Sequence, residues 1–260
     1  MLTRPPAVAG MFYESDKSIL QAQVNALLEQ SPQPADTDAA ALVVPHAGFI
    51  YSGAVAAQAY KTIASRTDTI ERVVLIGPAH RVYLNGMAIP ATQTFSTPLG
   101  DIPLDQDGLN QARRLTDVVV SDKAHRQEHS LEVQLPFLQT VLGDFKLLPV
   151  VVGDCRAESV AMLLDSLWGG PETLVLISSD LSHFHSYQQA REIDAQTCQR
   201  IVQKHSDLKG NEACGSRVIN GLMSTKHCQS LTVELISACN SGDTAGDKSR
   251  VVGYGAFILH

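Results

Sequence analysis

The chain has 260 residues, of which 44% are hydrophobic, and it carries a formal net charge of −7 at pH 7. A chain of this length and composition buries a sizeable core, which excludes an intrinsically disordered protein. The acidic balance excludes wholesale binding to nucleic acid or to an anionic membrane, and no apolar run reaches the roughly 18 residues that a membrane span needs.

Helical and strand-like segments alternate along the chain. The predicted elements, in chain order, are a helix after Ser15, strands over 41–45, 72–77 and 87–90, a turn-rich loop over 94–100, a helix over 105–115, a helix over 131–142 kinked at Pro136, a strand over 145–152, a helix over 157–168, a strand over 173–178, a helix over 188–205, a helix that opens near Asn211 and contains Cys214, and strands over 231–238 and 251–259. This alternation is typical of an α/β fold, here a single domain over residues 1–260 with a largely parallel or mixed central sheet flanked by helices.

The cysteines and the N-terminal residues give an expectation for the cellular location of the protein. Five cysteines are an odd number, and no two of them form a C-x-x-C pair. This pattern argues against a disulfide framework. Residues 1–6 lack the apolar core of a signal peptide. We therefore expect a cytoplasmic protein whose thiols are reduced.

Three predicted strands end in the same way, with a histidine or an acid after the apolar run. His46 follows the first strand, His80 follows the second, and Asp180 and His183 follow the strand over 173–178. Parallel strands bring their carboxyl ends to one edge of a sheet, so we expect these side chains to be neighbours. Neutral imidazole is the commonest protein ligand for transition metals, and two histidines with one anionic ligand are typical of a catalytic metal site.

The residues leave the third ligand open between Asp180, Glu128 and Cys214. Cys214 lies at the start of a predicted helix, where the positive end of the helix dipole favours a thiolate. Asp180 has a second interpretation, in which its carboxylate orients His183 as a general base. Glu128 and His129 precede a helix, so capping is an ordinary interpretation of that pair. The other histidines are predicted at the surface, at positions 125, 185, 205, 227 and 260.

Six motifs follow one another along the chain. They are Pro5-x-Ala7-Val8-Ala9-Gly10-x-Phe12-Tyr13, Pro45-His46-Ala47-Gly48-x-x-Tyr51-Ser52-Gly53, Gly77-Pro78-x-His80, Thr97-Pro98-Leu99-Gly100, Glu128-His129-Ser130-Leu131-Glu132 and Ser178-Ser179-Asp180-x-x-His183. In this order they resemble the Memo-like family, known in bacteria and archaea as AmmeMemoRadiSam system protein B. The resemblance runs nearly from end to end.

The resemblance implies a fold similar to class III extradiol (LigB-type) non-haem iron dioxygenases, and a bound iron or copper ion. The two histidine ligands and the cysteine ligand of the family match His46, His80 and Cys214. The dioxygenases use two histidines and a carboxylate instead. A thiolate at that place argues against extradiol ring cleavage and favours copper or a redox role.

The resemblance also implies roles for residues around the metal. His183 matches the position of the dioxygenase base, and Asp180 and His129 match other catalytic pocket residues. The ligand is expected to be a small molecule or a peptide. Radical-SAM and AMMECR-type proteins are expected partners by association with the family.

Three classes of function follow from these residues. The leading prediction is a metal-dependent redox protein, including an oxygenase, in which His183 moves protons. A second is a metal-free hydrolase with Cys214 as nucleophile and a histidine as base. A third is a binding module whose pocket docks a peptide or a small anion without turnover.

Overall fold

The computed structural model describes residues 2–32 and 38–260. Its strands are β1 (Thr3–Arg4), β2 (Ala41–Val44), β3 (Arg72–Pro78), β4 (Met87–Ile89), β5 (Thr94–Thr97), β6 (Gly100–Pro103), β7 (Val118–Val120), β8 (Lys146–Val152), β9 (Thr173–Ser178), β10 (His183–His185), β11 (Val233–Asn240) and β12 (Val251–Leu259). Its α-helices are α1 (Lys17–Gln30), α2 (Phe49–Thr62), α3 (Gln106–Ala112), α4 (Asp122–Arg126), α5 (Leu135–Leu142), α6 (Ala157–Leu167), α7 (Tyr187–Val202), α8 (Ser216–Met223) and α9 (Lys226–Ser230). None of the helices in these two ranges combines the length and the hydropathy that crossing a bilayer requires.

The strands of the described ranges form a nine-stranded mixed sheet and a smaller sheet of β1, β5 and β6. In the large sheet the order is β10-β12-β2-β9-β3-β8-β4-β7, and β11 pairs with β12. β2, β9, β3 and β8 are parallel to one another, whereas β12 and β4 run antiparallel to this core. The predicted α/β fold with a largely parallel or mixed sheet flanked by helices is confirmed.

Burial explains why the core strands do not alternate between polar and apolar residues. Every residue of β2 and β9 is buried. Two groups of helices supply the covering layers: α1, α2 and α5 contact one another, and α6 contacts α3 and α8. Each fully buried valine or leucine of these strands contributes about 1.5–3 kcal/mol of hydrophobic free energy.

The register of the parallel core places the strand ends side by side. Val44 of β2 pairs with Ser178 of β9, and Pro78 of β3 pairs with Val152 of β8. The two strands of each pair therefore end at the same level of the sheet. The four side chains two positions beyond these pairs are His46, Asp180, His80 and Asp154.

Local chemistry corrects three predicted features. Asp16, not Ser15, caps α1, because its carboxylate accepts hydrogen bonds from two free backbone N–H groups at 2.8 and 3.0 Å. Pro136 lies in the first turn of α5, where no helical N–H bond is lost, so it starts that helix instead of kinking a longer one. The loop predicted over 94–100 contains β5, which forms a hairpin with β6.

Predictions about two single residues are corrected as well. Cys214 lies in the turn before α8, which begins at Ser216, and so it is not inside a helix. His125, predicted at the surface, is only 2% exposed. Its Nε2 atom lies 3.0 Å from the carbonyl oxygen of Ala88, and its ring packs on the ring of Phe95. Long-range packing that the local sequence does not reveal buries this histidine.

Candidate metal centre

Three histidines converge at the carboxyl ends of the parallel strands. His46 follows β2, His80 follows β3, and His129 lies between α4 and α5. One ring nitrogen from each can be chosen so that all three lie within 4.8 Å of one another. The structure thus brings together the two predicted ligands and the predicted pocket residue His129.

Cys214 lies outside this group of three but contacts one of its members, His46. Its Sγ atom lies 3.4 Å from His46 Nε2. The backbone of Asp180 holds the cysteine, accepting a hydrogen bond from its N–H at 3.2 Å and donating one to Sγ at 3.3 Å. Gly215 allows this approach, since a Cβ atom there would lie 2.7 Å from Ser179 Cβ.

The tautomer of His46 follows from the hydrogen bonds of Ser178. The Ser178 hydroxyl donates its one hydrogen to the carbonyl of Ser130 at 2.6 Å and accepts one from Gln134 Nε2 at 2.8 Å. It must therefore accept from His46 Nδ1, which lies 2.9 Å away. With the proton on Nδ1, the Nε2 lone pair of His46 is free to face Cys214.

Glu128 fixes His80 in the same way. His80 donates to its carboxylate from Nδ1 at 2.9 Å and from the backbone N–H at 2.5 Å. Burial raises the pKa of Glu128, but the hydrogen bonds from His80 and the backbone of Ser130 outweigh it and bring the pKa to about 2. An ionised carboxylate on Nδ1 leaves Nε2 as the ligand atom, an arrangement common behind metal-binding histidines. Glu128 therefore orients the metal ligand His80 and is not itself assigned as a ligand.

The predicted pairing of Asp180 with His183 is not formed. His183 donates from Nδ1 to the carbonyl of Leu181 at 2.9 Å, which leaves its Nε2 lone pair free. Asp180 Oδ1 instead accepts a hydrogen bond from the backbone N–H of His46 at 2.7 Å. Burial raises the pKa of Asp180 to about 7, although the backbone N–H groups of His46 and Ala47 oppose the shift. Asp180 thus connects the backbones that carry His46 and Cys214.

Two histidines of the cluster are held neutral, as metal ligands must be, whereas the Cys214 thiol is held protonated until a cation displaces its proton. Burial and the neighbouring imidazoles hold the pKa of His46 well below its usual value, and burial lowers the pKa of His129 to about 4. Burial and Asp180 raise the pKa of the Cys214 thiol to about 12, contrary to the expected effect of the helix dipole. His129 Nδ1 is buried and lies 3.3 Å from Glu128 Oε1, without the geometry of a hydrogen bond. The free Nε2 atoms of His46 and His80, with the sulfur of Cys214 beside His46, form a donor set that fits iron, copper or zinc.

A cavity of about 320 Å³ opens beside this cluster. His80 and Cys214 line it, together with Asp154 from the end of β8 and Arg217 from the first turn of α8. A larger groove of about 840 Å³ lies between α7 and β11, and it contains none of the clustered residues. The smaller cavity therefore reaches the candidate centre at His80 and Cys214.

Comparison with known proteins agrees with the sequence motifs. The family profile described as Memo-like protein matches residues 4–258. The chain belongs to the Memo-like family. The MEMO1 family protein of Ignicoccus hospitalis is 35% identical over 282 residues, covering 98% of each chain. Its counterpart from Methanosarcina acetivorans is 35% identical over 277 residues, covering 100% of each chain.

A solved structure places this Memo-like protein among known folds. The uncharacterized protein JW3007 from Escherichia coli K12 matches it with a TM-score of 0.53. The match covers 85% of this chain and 99% of that one at 10% identity. An identity this low concerns the fold alone, so the relation to extradiol dioxygenases stays a prediction.

Sequence reasoning missed two residues that line the cavity of this Memo-like protein. Asp154 lies two positions beyond the end of β8, the same spacing that drew attention to His46 and His80. That signal was present in the sequence. Arg217 carried no comparable signal, because its position depends on where α8 begins.

Proposed function

We propose that this member of the Memo-like family is a metal-dependent redox protein that binds one iron or copper ion. His46 and His80 supply their Nε2 atoms and Cys214 supplies its sulfur. The observation that carries this proposal is the 3.4 Å separation of His46 Nε2 and Cys214 Sγ, with both histidines held in the tautomer that frees Nε2. A thiolate among the ligands favours copper or one-electron chemistry.

His129 is the alternative third ligand. Its ring nitrogen lies in the same cluster as those of His46 and His80, and its Nδ1 atom is buried. We place it beside the ion as a pocket residue, because Cys214 supplies the negative charge that two neutral imidazoles lack. If His129 binds the ion directly, Cys214 remains a neighbour of His46.

The metal would polarise or oxidise a small molecule at an open coordination position. The chain's own residues supply the rest. His183 has a free Nε2 lone pair with which to accept a proton. Asp180 holds the two ligand-bearing backbones, of His46 and Cys214, in place. Glu128 keeps the proton of His80 on Nδ1.

The alternatives rest on weaker observations. A metal-free hydrolase needs a thiolate, yet burial and Asp180 raise the pKa of the Cys214 thiol to about 12. A binding module without turnover is compatible with the fold, but it does not account for the hydrogen bonds that leave Nε2 of His46 and His80 free. Radical-SAM and AMMECR-type partners remain proposals from the family resemblance. A cytoplasmic location remains a proposal from the cysteine pattern, and all five cysteines are free.

Metal content after anaerobic reconstitution tests the proposal. We expect about one Fe(II) or Cu ion for each wild-type chain, and loss of the ion in His46→Gln and His80→Gln. Cys214→Ser should abolish the thiolate-to-metal absorption band, whereas His129→Gln should keep it. His227→Gln, on the surface at α9, is the matched control. A wild-type chain that takes up neither metal would overturn the proposal.

A further inference from the structure

The cavity beside the candidate metal centre is small and is lined by both polar and apolar side chains. Its volume of about 320 Å³ is at the lower end of the range for small-molecule sites. Val82, Leu84 and Val218 are among its apolar walls, and His80 and Cys214 line it from the metal side. A cavity of this size suits a small organic molecule better than a stretch of peptide.

Two charged side chains line the same cavity. Arg217 Nη2 lies 2.8 Å from Asp154 Oδ1, and the two side chains are 55% and 60% exposed. An ion pair this exposed contributes little to stability, because water screens it. The contribution of this ion pair to stability therefore does not explain why the two charged residues lie here.

Most of the hydrogen-bonding capacity of Arg217 is unused. In the described part of the chain its guanidinium donates one hydrogen bond, to Asp154. The buried Arg4, by contrast, donates from Nε, Nη1 and Nη2. Nη2 carries two hydrogens and only one contact to Asp154 is formed, so the second hydrogen, together with Nε or Nη1, can donate to a planar two-oxygen group without breaking the existing pair.

We propose that this cavity binds a small organic carboxylate, whose carboxylate group is held by Arg217 and whose apolar body lies against Val218 and Leu84. The proposal deepens the proposed function and rests on it, since the bound molecule would be the substrate of the metal centre. A singly charged carboxylate fits better than a phosphate, because Asp154 beside Arg217 repels a second negative charge. A cation fits poorly, since Arg217 and the metal are both positive.

The arrangement also orients the ligand. Arg217 on α8 and His80 after β3 line one cavity, so a carboxylate held at Arg217 keeps the body of the molecule between the arginine and the metal ligands. Arg217 would therefore select the end of the substrate that stays away from the reacting atoms.

Binding of simple probes to the full chain tests this inference. Hexanoate and benzoate serve as carboxylates, hexanamide and benzamide as neutral analogues, and phenyl phosphate as a dianion. Dissociation constants are measured by ligand-observed NMR, once with metal-free protein and once with Fe(II)-loaded protein. We expect saturable millimolar or tighter binding of a carboxylate, and weaker binding of its amide and of the phosphate.

Variants at the mouth of the cavity sharpen the test. Arg217→Gln should weaken carboxylate binding at least about tenfold, because a charged hydrogen-bonding partner is lost. Arg217→Lys should have an intermediate effect, since it keeps the positive charge but loses the two parallel N–H donors of the guanidinium. Asp154→Asn should strengthen binding several-fold. Arg113→Gln, at an exposed position after α3, is the matched control.

The outcomes separate this inference from the proposed function. Equal affinity in Arg217→Gln and wild type, equal affinity for carboxylate and amide, tighter binding of the phosphate, or no saturable binding of either carboxylate would each overturn it. None of these results alters the metal content of the wild-type chain. Conversely, a chain that binds no metal but binds carboxylates through Arg217 would overturn only the proposed function. Thermal unfolding confirms that each variant is folded.

Discussion

Arg4 and Glu132 form a buried ion pair, with Nη1 and Oε2 2.6 Å apart, although 128 residues separate them in the chain. Arg4 also donates to the carbonyls of His125 and Glu128 at 2.8 and 2.7 Å. Glu132 accepts further hydrogen bonds from the backbone of the N-terminal segment and from the hydroxyl of Tyr13 at 2.6 Å. The pair thereby fastens the N-terminal segment to the loop that carries the site residues 128 and 129.

Breaking this pair should destabilise the protein strongly. Glu132→Ala leaves the Arg4 guanidinium buried without its counter-charge, so we expect the free energy of unfolding to fall by about 3–5 kcal/mol. Urea denaturation measures the change. Asp207→Asn, in an exposed pair with Arg200, should cost less than about 1 kcal/mol. The double change Arg4→Met with Glu132→Leu should recover part of the loss, and no recovery would argue against a buried-charge effect.

Glu128→Gln should lower metal affinity by about 10- to 100-fold, because His80 loses the carboxylate that fixes its tautomer. Competition with a chelator of known affinity measures the change. Glu158→Gln, an exposed acid in the first turn of α6, should leave the affinity unaltered. Unchanged affinity in Glu128→Gln would mean that His80 does not need this orientation.

Acid should destabilise the protein partly through His125. Burial lowers the pKa of this histidine from 6.5 to about 4. The unfolded chain takes up a proton near pH 6.5, whereas the folded chain resists it until about pH 4. The stabilising contribution is thus complete above pH 6.5 and falls as the pH drops through this window, by up to about 3 kcal/mol. His125→Gln should show a shallower fall in denaturation free energy between pH 6.5 and 4, and equal slopes would contradict this assignment.

Gly215→Ala should disturb the metal centre directly. The added Cβ atom would meet Ser179 Cβ at 2.7 Å and Oγ at 2.8 Å, so the turn that carries Cys214 has to move. We expect a loss of about 1–3 kcal/mol in unfolding free energy together with weaker metal binding. Gly210→Ala is a matched control in the same loop, where a Cβ atom would meet nothing within 4 Å. Similar behaviour of the two variants would show that the contact is easily relieved.

Alkylation of Cys214 distinguishes the redox protein from a cysteine hydrolase. Because burial and Asp180 raise the pKa of its thiol to about 12, metal-free protein should react with iodoacetamide more slowly at pH 7 than a free cysteine in solution does. Peptide mass spectrometry over time measures the rate at this position. Rapid labelling that depends on His46 would favour the hydrolase.

The fold and the position of the site could be predicted because both depend on short, apolar, unalternating runs. Strand endings at His46, His80 and Asp180 indicated the common edge, and the register of β2, β9 and β3 confirms it. Backbone geometry alone brings these residues together. That part of the site is therefore readable from the pattern of strands.

The hydrogen-bond partners could not be predicted, because they depend on loop paths and rotamers. Asp180 accepts a hydrogen bond from the backbone of His46 and forms no hydrogen bond with the imidazole of His183. The sequence spacing between Asp180 and His183 does not determine which of these partners is used. His125 is buried partly by Arg4 and Phe95, which belong to strands β1 and β5 of the small sheet. Such contacts join distant segments and have no local signature.

The matched exits of β2 with β9 and of β3 with β8 have a consequence for how this site tolerates change. Adjacent strands lie about 4.8 Å apart, so the spacing of side chains that leave them at equal heights is set by the hydrogen-bond ladder of the sheet. Loops and helices elsewhere can lengthen or shorten without altering that spacing. Because β9 lies between β2 and β3, the sheet fixes the separation of the two backbones that lead to His46 and His80, whereas the mouth formed by Asp154, Arg217 and their neighbours can change with the loops.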